Sequence, residues 1–389
     1  MPHADKKNDT MKYKLTLFLI MLRIVLFAQE QLPIIKSTSN TVDIRDGLTF
    51  IEGQWKINPD LKPDTYTTSN KNSKVTFYTD LDSISFNIKP NKYYDFNILL
   101  NEIDTAFTRI IYNPTYLEIL KGAKKYNLND SRKIPKFSYQ SKENENLKNL
   151  NKKYNLDSIA GQGNEVSQII NLLHWVHYLI PHDGNSENPQ IKNATSLINE
   201  CKILKRGLNC RGLATVLNES YLSLGFKSRI ITCIPKDSLK IDNDVHVINM
   251  VFAKSLKKWL WIDPTNNAYV MDENAELLSI EEVREKLINE KPLFINPDAN
   301  WNRKESTNKE WYLYNYMAKN LYMLECPVES EFDLETNIKD KEIKYIRLIP
   351  LDYFEQLPDN SEYLDKNLNI RFIKYKTNNP ALFWKNPED

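Results

Sequence analysis

The sequence predicts an α+β protein in which helices pack on an antiparallel sheet, preceded by a small N-terminal β-sandwich. Three patterns support this prediction: period-2 alternation between about residues 41 and 112, helical spacing from residue 163, and three strand-like runs between residues 228 and 263. Helices that precede a group of strands, instead of alternating with them, are typical of an α+β layout.

The N-terminal segment consists of short alternating runs. In "KVTFYTD" the alternation places Val75 and Phe77 on one face, and in "YDFNIL" it does the same for Phe96 and Ile98. Alternation interrupted by short polar turns predicts a small antiparallel β-sandwich over residues 35–120. The segment shows no cluster of His, Cys or paired carboxylates, so we expect it to serve in support or recognition.

A Lys- and Asn-rich stretch follows at residues 121–158. Its segment "SKENENLKNLNKKYN" is largely polar, and we interpret it as a linker or a surface helix. The remaining chain, residues 159–389, is predicted to form one domain with a C-terminal extension that shapes one side of a cleft. The extension is predicted to contain a helix opened by a capping box of Ser279 and Glu282, a Tyr-rich helix around Trp311 to Leu321, and late strands such as "KYIRLIPL" and "IRFIKYK".

Within this domain, apolar residues recur at spacings of three and four after Gly163, which predicts the first helix. A second helix is predicted to begin near Ala194 and a third at Cys210. Gly225 is well placed as the residue that ends the third helix. The runs "SRIITCI", "DVHVINMVF" and "KKWLWID" are then predicted strands.

The N-terminus carries a predicted signal peptide at residues 11–28. A short basic region, "KYK", precedes the apolar run "LTLFLIMLRIVLFA". This run is shorter than the roughly 20 residues that a membrane-spanning helix needs. We therefore expect an exported protein (periplasmic, cell-surface or secreted) that begins near Gln29 and is not inserted in a membrane after cleavage. A buried N-terminal helix is the alternative.

Composition excludes several functional classes. The chain has 389 residues, with 52 basic against 51 acidic side chains and no basic stretch typical of nucleic-acid binding. It has no Gly-rich phosphate loop, zinc-type Cys pairs or calcium loop, so no cofactor is expected. Four cysteines are too few for a disulfide framework. Cys201, Cys233 and Cys326 leave one disulfide possible without indicating its pair.

A predicted hairpin brings together a histidine and an aspartate. If the last two strands are joined by a loop centred between Lys254 and Ser255, His246 and Asp263 lie directly opposite each other. Opposed residues share a face of the sheet, with Cβ atoms roughly 4.5–5.5 Å apart. A carboxylate at that distance can hold an imidazole by one ring nitrogen and fix its proton. A core histidine beside a surface aspartate is the alternative.

Cys210 lies in "GLNCRGLATVLNES", where a loop becomes the third helix. The unpaired N–H groups and the dipole of a helix N-terminus stabilise a thiolate, and a nearby imidazolium lowers the thiol pKa further. A lone cysteine is more often a small buried apolar residue. Cysteine, histidine and aspartate in these settings instead form the nucleophile, base and orienting group that acyl transfer requires.

These residues resemble the transglutaminase-like superfamily over residues 159–267. "GLNCRGLATVLNESYLSLGFKSRIIT" resembles its cysteine motif, "DVHVINMVF" its histidine motif, and "KKWLWIDPTNN" its motif of tryptophan before Asp-Pro-Thr. The resemblance implies a papain-like transglutaminase core, with Cys210 as nucleophile, His246 as base and Asp263 as the group that orients the base. The superfamily includes cross-linkers, peptidases, amide-cleaving deglycosylases and inactive members, so the substrate stays open.

Several further residues are candidates for the cleft. The backbone N–H of Cys210 is one predicted oxyanion donor, and Gln162 or His182 is the candidate for the second. Trp175, Trp259, Trp261 and Asn209 are candidates to line the substrate cleft, although packing is favoured for the Trp259–Trp261 pair. His174 and His177 lie three apart on a helix, and a surface pair is favoured over a metal site.

The leading hypothesis is an exported cysteine acyl-transfer enzyme that acts on amide or peptide bonds, with hydrolysis favoured over cross-linking. Its expected partner is a protein or peptide substrate, which could be glycan-linked, and its oligomeric state is open. The alternative is a non-catalytic protein that binds peptide or glycan in the same cleft. A purely structural assembly protein is the third hypothesis, and it leaves the three residues unexplained.

Overall fold

The structure is a computed structural model that describes residues 32–236, 244–351 and 359–387. The described chain divides between Pro114 and Thr115 into two compact units. The predicted signal peptide at residues 11–28 and the predicted start near Gln29 lie outside the described residues. Within the described ranges, no helix is both long and apolar enough to cross a membrane.

The first unit is built from β-strands. They are β1 (Ile34–Ser37), β2 (Thr41–Asp46), β3 (Thr49–Lys56), β4 (Asp64–Thr68), β5 (Lys74–Tyr78), β6 (Ser83–Asn87), β7 (Tyr93–Leu100) and β8 (Asp104–Tyr112).

These strands form two four-stranded sheets, ordered β1-β7-β8-β4 and β3-β2-β5-β6. Val75, Phe77, Phe96 and Ile98 are fully buried in one hydrophobic core to which both sheets contribute, as the alternation predicted. The prediction of purely antiparallel pairing is wrong, because β1 pairs with β7 and β4 with β8 in parallel. Period-2 alternation reports which face is buried and contains no information about strand direction.

The second unit combines helices with several sheets, so the mixed α and β composition is confirmed. Its helices are α1 (Tyr116–Gly122), α2 (Glu145–Tyr154), α3 (Leu156–Ala160), α4 (Glu165–Leu179), α5 (Ala194–Leu204), α6 (Cys210–Ser223), α7 (Ile280–Ile288), α8 (Lys309–Trp311), a π-helix (Tyr312–Met317), α9 (Ala318–Asn320) and α10 (Pro380–Phe383).

Its main sheet has seven strands in the order β12-β11-β10-β17-β19-β21-β20. The strands of the unit are β9 (Ser138–Tyr139), β10 (Ser228–Ile234), β11 (His246–Ala253), β12 (Lys258–Ile262), β13 (Val270–Met271), β14 (Phe294–Ile295), β15 (Asn300–Trp301), β16 (Glu305–Ser306), β17 (Met323–Pro327), β18 (Glu329–Ser330), β19 (Glu342–Leu348), β20 (Ser361–Asp365) and β21 (Ile370–Thr377).

The strands β11 and β12 of the seven-stranded sheet are covered on both faces. Val251 and Leu260 belong to the core that contains residues of α4, α5 and α6. Met250 and Trp261 belong to the core that contains residues of α7 and the π-helix. Neighbours along a strand point to opposite faces, so the adjacent strands β10 and β11 are buried throughout.

The sheet departs from the antiparallel prediction at one place, because β19 and β21 pair in parallel. The predicted C-terminal strands thus extend the sheet as expected. These strands do not line the cleft, whereas Trp311, Asn315, Tyr316 and Lys319 of the predicted Tyr-rich helix do. The C-terminal strands β19, β20 and β21 lie beyond β17, on the opposite side of β10 from β11, which begins at His246, and β12, which ends one residue before Asp263.

Of the two interpretations of residues 121–158, a linker or a surface helix, the helix is the one found at Glu145–Tyr154, and its inner face is apolar. Helix α2 spans ten residues there, and its Leu147 and Leu150 are fully buried. Leu150 packs in the core of α4, α5 and α6, together with Leu156 of α3. Two leucines three residues apart form a narrow apolar stripe that the surrounding lysines and asparagines conceal in the sequence.

Two helix ends predicted from capping residues, at Gly225 and at Ser279, are found in the structure. Gly225 has a φ of +87°, a conformation that residues with a side chain rarely adopt. Its N–H donates to the carbonyl of Leu222, and the N–H of Phe226 donates to that of Tyr221, which is the Schellman pattern. Ser279 and Glu282 form the predicted capping box of α7.

Candidate active site

Cys210 is the first residue of helix α6. Asn209 is the N-cap, and its Oδ1 accepts a hydrogen bond from the N–H of Gly212 at 3.2 Å. Asn188 holds this cap from outside, because its Nδ2 donates to Asn209 Oδ1 at 2.7 Å and its Oδ1 accepts from the Asn209 N–H at 3.2 Å. The half-buried thiol therefore lies at a helix end whose N–H groups favour negative charge.

The environment of Cys210 favours its thiolate. Burial alone would raise the pKa of the thiol, but hydrogen bonds with His182 and His246 lower it to about 6. The other three cysteines are also free, and all are buried. Burial raises the pKa of Cys201, raises that of Cys233 well above its ordinary value, and raises that of Cys326 to about 12. Cys210 alone among the four cysteines therefore has a lowered thiol pKa.

His246 and Asp263 form a buried ion pair. The Nε2 atom of His246 lies 2.8 Å from Oδ2 of Asp263, and both side chains are almost completely buried. Burial alone would lower the pKa of His246, but the charge of Asp263 raises it above its ordinary value. Because Nε2 contacts the carboxylate, the proton on this nitrogen is held toward Asp263.

Four further hydrogen bonds hold the carboxylate of Asp263. Its Oδ2 accepts from the Tyr312 hydroxyl at 2.7 Å and from Asn266 Nδ2 at 3.0 Å. Its Oδ1 accepts from the backbone N–H groups of Thr265 at 2.8 Å and Asn266 at 3.3 Å. Burial would raise the pKa of Asp263, but the charge of His246 and the side-chain hydrogen bonds from His246, Tyr312 and Asn266 lower it. A buried charge requires such satisfied partners.

The predicted hairpin register is wrong by two residues. Asn249 pairs with Ile262 and Ala253 with Lys258, so the loop is Lys254–Lys257. Continuing this register places Asp263 opposite Ile248, and His246 is its diagonal neighbour on the same face. Diagonal neighbours remain within reach of long side chains, so the predicted contact forms although the predicted opposition does not.

His182 is the second imidazole beside Cys210. It lies in the loop after α4, where its backbone N–H donates to Asn302 Oδ1 at 2.6 Å and its carbonyl accepts from Asn302 Nδ2 at 2.9 Å. The ring of Trp301 packs edge-on against its imidazole at 6.1 Å. Nδ1 of His182 is buried and has no hydrogen-bond partner in the described structure. Such an orphan polar atom calls for an explanation.

Cys210, His246 and His182 open onto a cleft of ≈ 860 Å³. Two exposed tryptophans, Trp301 and Trp311, contribute to its walls. The residues that line the cleft are Tyr116, His182, Gly184, Asn185, Asn209, Cys210, Arg211, Asp244, Val245, His246, Val247, Thr265, Asn266, Trp301, Trp311, Asn315, Tyr316 and Lys319.

Gln162, predicted as an oxyanion candidate, does not line this cleft. It is exposed and precedes the N-terminus of α4, whereas His182 follows the C-terminus of the same helix. A helix of 15 residues is roughly 22 Å long. The two ends therefore cannot both reach the thiol, and His182 is the one that does.

The tryptophans predicted for the cleft lie in the hydrophobic cores instead. Trp175 packs against Tyr154 with ring centroids 5.8 Å apart, beside the core of the helical face. Trp259 and Trp261 are buried in the core of the other face. Of the predicted cleft residues, Asn209 lines the cleft. The packing interpretation of "KWLW" is the one that fits the structure.

The interpretation of His174 and His177 as a surface pair is wrong for His177, which is buried, and both histidines are hydrogen-bonded to neighbouring loops. His174 Nδ1 lies 2.7 Å from Asn267 Oδ1. His177 is buried, with Nδ1 2.9 Å from the carbonyl oxygen of Pro264 and Nε2 2.9 Å from Asn300 Oδ1. These bonds brace the loop that follows Asp263. In the part of the chain that the structure describes, no group of three or more His, Cys, Asp or Glu side chains could hold a metal.

Sequence reasoning missed Tyr312 and Tyr316. The Tyr312 hydroxyl reaches Asp263, and the Tyr316 ring packs against the imidazole of His246 at 5.2 Å. The two tyrosines are four residues apart in a segment predicted to be helical. That spacing was the available signal, because residues four apart share a helix face.

No protein-family model and no curated protein matches the chain. A proposed cysteine protease from Cytophaga hutchinsonii is similar at a TM-score of 0.25 and 19% identity, over 33% of this chain and 40% of that chain. A proposed protease from Parabacteroides distasonis is similar at a TM-score of 0.21 and 13% identity, over 31% and 27%.

Red sea bream transglutaminase is similar at a TM-score of 0.21 and 12% identity, over 62% of this chain and 50% of that one. The chain thus spans half or less of these three proteins. Their names are consistent with the transglutaminase-like resemblance of the sequence. At TM-scores this low they carry no weight for the fold or the activity, which the residues themselves must support.

Proposed function

We propose that this protein is an exported transglutaminase-like cysteine enzyme that transfers acyl groups from amide or peptide bonds. The observation that supports this most directly is the Cys210 thiol with its lowered pKa, at a helix N-terminus, beside an imidazole that a buried carboxylate holds. This arrangement supplies a nucleophile, a proton carrier and an orienting anion in one cleft.

In the proposed reaction the Cys210 thiolate attacks the amide carbonyl carbon. The backbone N–H of Cys210 and the His182 imidazole donate to the oxyanion that develops on the carbonyl oxygen. The C–N bond then breaks, and the departing nitrogen takes a proton from the His246 imidazolium. A thioester on Cys210 and a free amine result.

The second half of the reaction releases the acyl group. Water attacks the thioester, His246 accepts a proton from it, and the thiolate leaves. An amine in place of water would produce a cross-link. Hydrolysis is favoured because the cleft is open to solvent and water is abundant outside the cell. The proposed substrate is a protein or peptide.

Trapping the acyl-enzyme tests this proposal. The purified protein is incubated with peptide mixtures, quenched in acid and examined by intact-mass and peptide-level mass spectrometry. We expect an acyl adduct on Cys210, which disappears in Cys210→Ala and is slowly released in His246→Ala. Peptides that are retained in the cleft without any adduct or cleavage would favour the binding-protein alternative. Adding methylamine then measures the partition between water and an amine.

A further inference from the structure

A π-helical turn packs against the His246–Asp263 pair. The π-helix Tyr312–Met317 lies between α8 and α9, within one continuous helical segment. Isolated π-helical turns are rare and are frequent at functional sites. Tyr312 and Tyr316, both in this turn, each contact one member of the pair.

Tyr312 contacts the carboxylate. Its hydroxyl donates to Asp263 Oδ2 at 2.7 Å, and its ring packs edge-on against Trp261 with centroids 6.4 Å apart. The side chain is fully buried and does not line the cleft. Burial, followed by the neighbouring charge of Asp263, raises the pKa of Tyr312 well above its ordinary value, so its hydroxyl remains a donor.

Tyr316 contacts the imidazole. Its ring packs edge-on against His246, and Trp311 stacks on Tyr316 with centroids 5.2 Å apart and planes 10° apart. Its hydroxyl donates to Asp244 Oδ1 at 3.3 Å. Lys319, three residues further on, donates to Asp244 Oδ2 at 2.8 Å. The helical segment thus contacts both the pair and the residues just before β11.

We propose that Tyr312 is a positioning residue for the reaction, which fixes the Asp263 carboxylate through its hydroxyl, and that Tyr316 covers His246 through its ring. This inference rests on the proposed function. The N–H groups of Thr265 and Asn266 hold Oδ1, so Oδ2 depends on Tyr312 and Asn266 Nδ2 for the orientation that His246 needs. Tyr312 acts on the substrate only through Asp263.

Conservative variants separate the hydroxyl from the ring. The probe is p-nitrophenyl acetate, whose acetyl group passes to Cys210 as p-nitrophenolate leaves. We expect Tyr312→Phe to lower kcat about tenfold, the effect of one lost hydrogen bond to a charged group, with KM unchanged. Tyr316→Leu, which removes the ring beside His246, should lower kcat more than Tyr316→Phe, which keeps the ring. Tyr314→Phe, in the same turn but outside the cleft and the pair, is the matched control.

A double variant tests whether Tyr312 acts through Asp263. The double variant Asp263→Asn/Tyr312→Phe should have the same kcat as Asp263→Asn alone. If the effect of Tyr312→Phe were purely structural, it would lower kcat by the same factor in both backgrounds. The pH midpoint of Cys210 alkylation by iodoacetamide should also rise in Tyr312→Phe and stay constant in Tyr314→Phe. If Tyr312→Phe misfolds because the buried Asp263 charge loses a partner, Asp263→Asn with and without Tyr312→Phe can still be compared. That background has no buried charge at residue 263.

The outcomes distinguish this inference from the proposed function. If Cys210→Ala abolishes turnover but Tyr312→Phe equals Tyr314→Phe in kcat and alkylation profile, the positioning role is wrong and the proposed function stands. Multiplicative losses in the double variant would equally overturn the role. If Cys210→Ala keeps full turnover, the proposed function fails and the positioning role fails with it.

Discussion

Alkylation of Cys210 at about pH 6 measures how far the site activates its thiol. With a pKa of about 6, about half of Cys210 is thiolate at that pH, whereas an unperturbed thiol of pKa about 8.5 is roughly 0.3% thiolate. The lower pKa also reduces the nucleophilicity of the thiolate, with a Brønsted coefficient of about 0.4–0.5, which removes about tenfold of this advantage. We therefore expect Cys210 to react about tenfold faster than an ordinary exposed thiol.

The assay uses limiting iodoacetamide and peptide-level mass spectrometry, with the same protein in guanidinium as the reference for complete labelling. Cys201, Cys233 and Cys326 are internal controls, because they are buried and their thiol pKa values are raised. His246→Ala should slow labelling of Cys210 by up to about tenfold as the thiol approaches ordinary behaviour.

Asp263→Asn should slow the labelling less, because the imidazole remains but loses its orienting charge. Circular dichroism and the denaturant midpoint of each variant report whether the fold is retained. Equal labelling of all four cysteines in the folded protein would refute the activation of Cys210. A Cys210 rate that is indifferent to His246→Ala would refute it as well.

Three further predictions concern stability. Leu150→Ala in α2 should lower the free energy of unfolding by about 2–5 kcal/mol, because the Leu150 side chain is fully buried. Lys152→Ala, at an exposed position of the same helix, should change it by no more than about 0.5 kcal/mol. Equal denaturation midpoints of the two variants would restore the linker interpretation. Asn209→Ala should lower the free energy of unfolding by about 1 kcal/mol, because the first turn of α6 loses its N-cap. The same variant should slow the alkylation of Cys210. The wild type should have a larger free energy of unfolding than Asp263→Asn, and this difference should reach its full size above the unfolded-state pKa of about 3.9. The difference should vanish as the pH falls through the lowered folded-state pKa, because the carboxylate is then protonated in both states. A difference that persists at about pH 2 would contradict this.

Local chemistry explains most of what could be predicted. The helix start at Cys210, the glycine stop at Gly225 and the capping box at Ser279 each depend on a few neighbouring residues. Such signals act within one turn of the chain, so a sequence contains them completely.

Contacts between distant segments could not be predicted in the same way. Tyr312 is 49 residues from Asp263, and His182 is 28 residues before Cys210. No short pattern specifies that the segment after residue 308 returns to the sheet, nor that the loop after α4 meets the start of α6. In "KWLW" the alternation indicated a shared face for Trp259 and Trp261, but whether that face meets solvent or a core depends on what packs on it.

The hairpin shows why one error in register did not disturb the predicted site. The loop is centred one residue later than predicted, which shifts every cross-strand pair by two. Side chains alternate with a period of two, so a shift of two keeps His246 and Asp263 on one face, whereas a shift of one would separate them across the sheet. The buried alternation of β11 and β12, with Met250 and Trp261 in one core and Val251 and Leu260 in the other, opposes such a one-residue shift. The apolar residues that build the two cores therefore also fix the strand register on which the contact between His246 and Asp263 depends. A variant that exchanged apolar residues between the two faces would lose both the core packing and this contact.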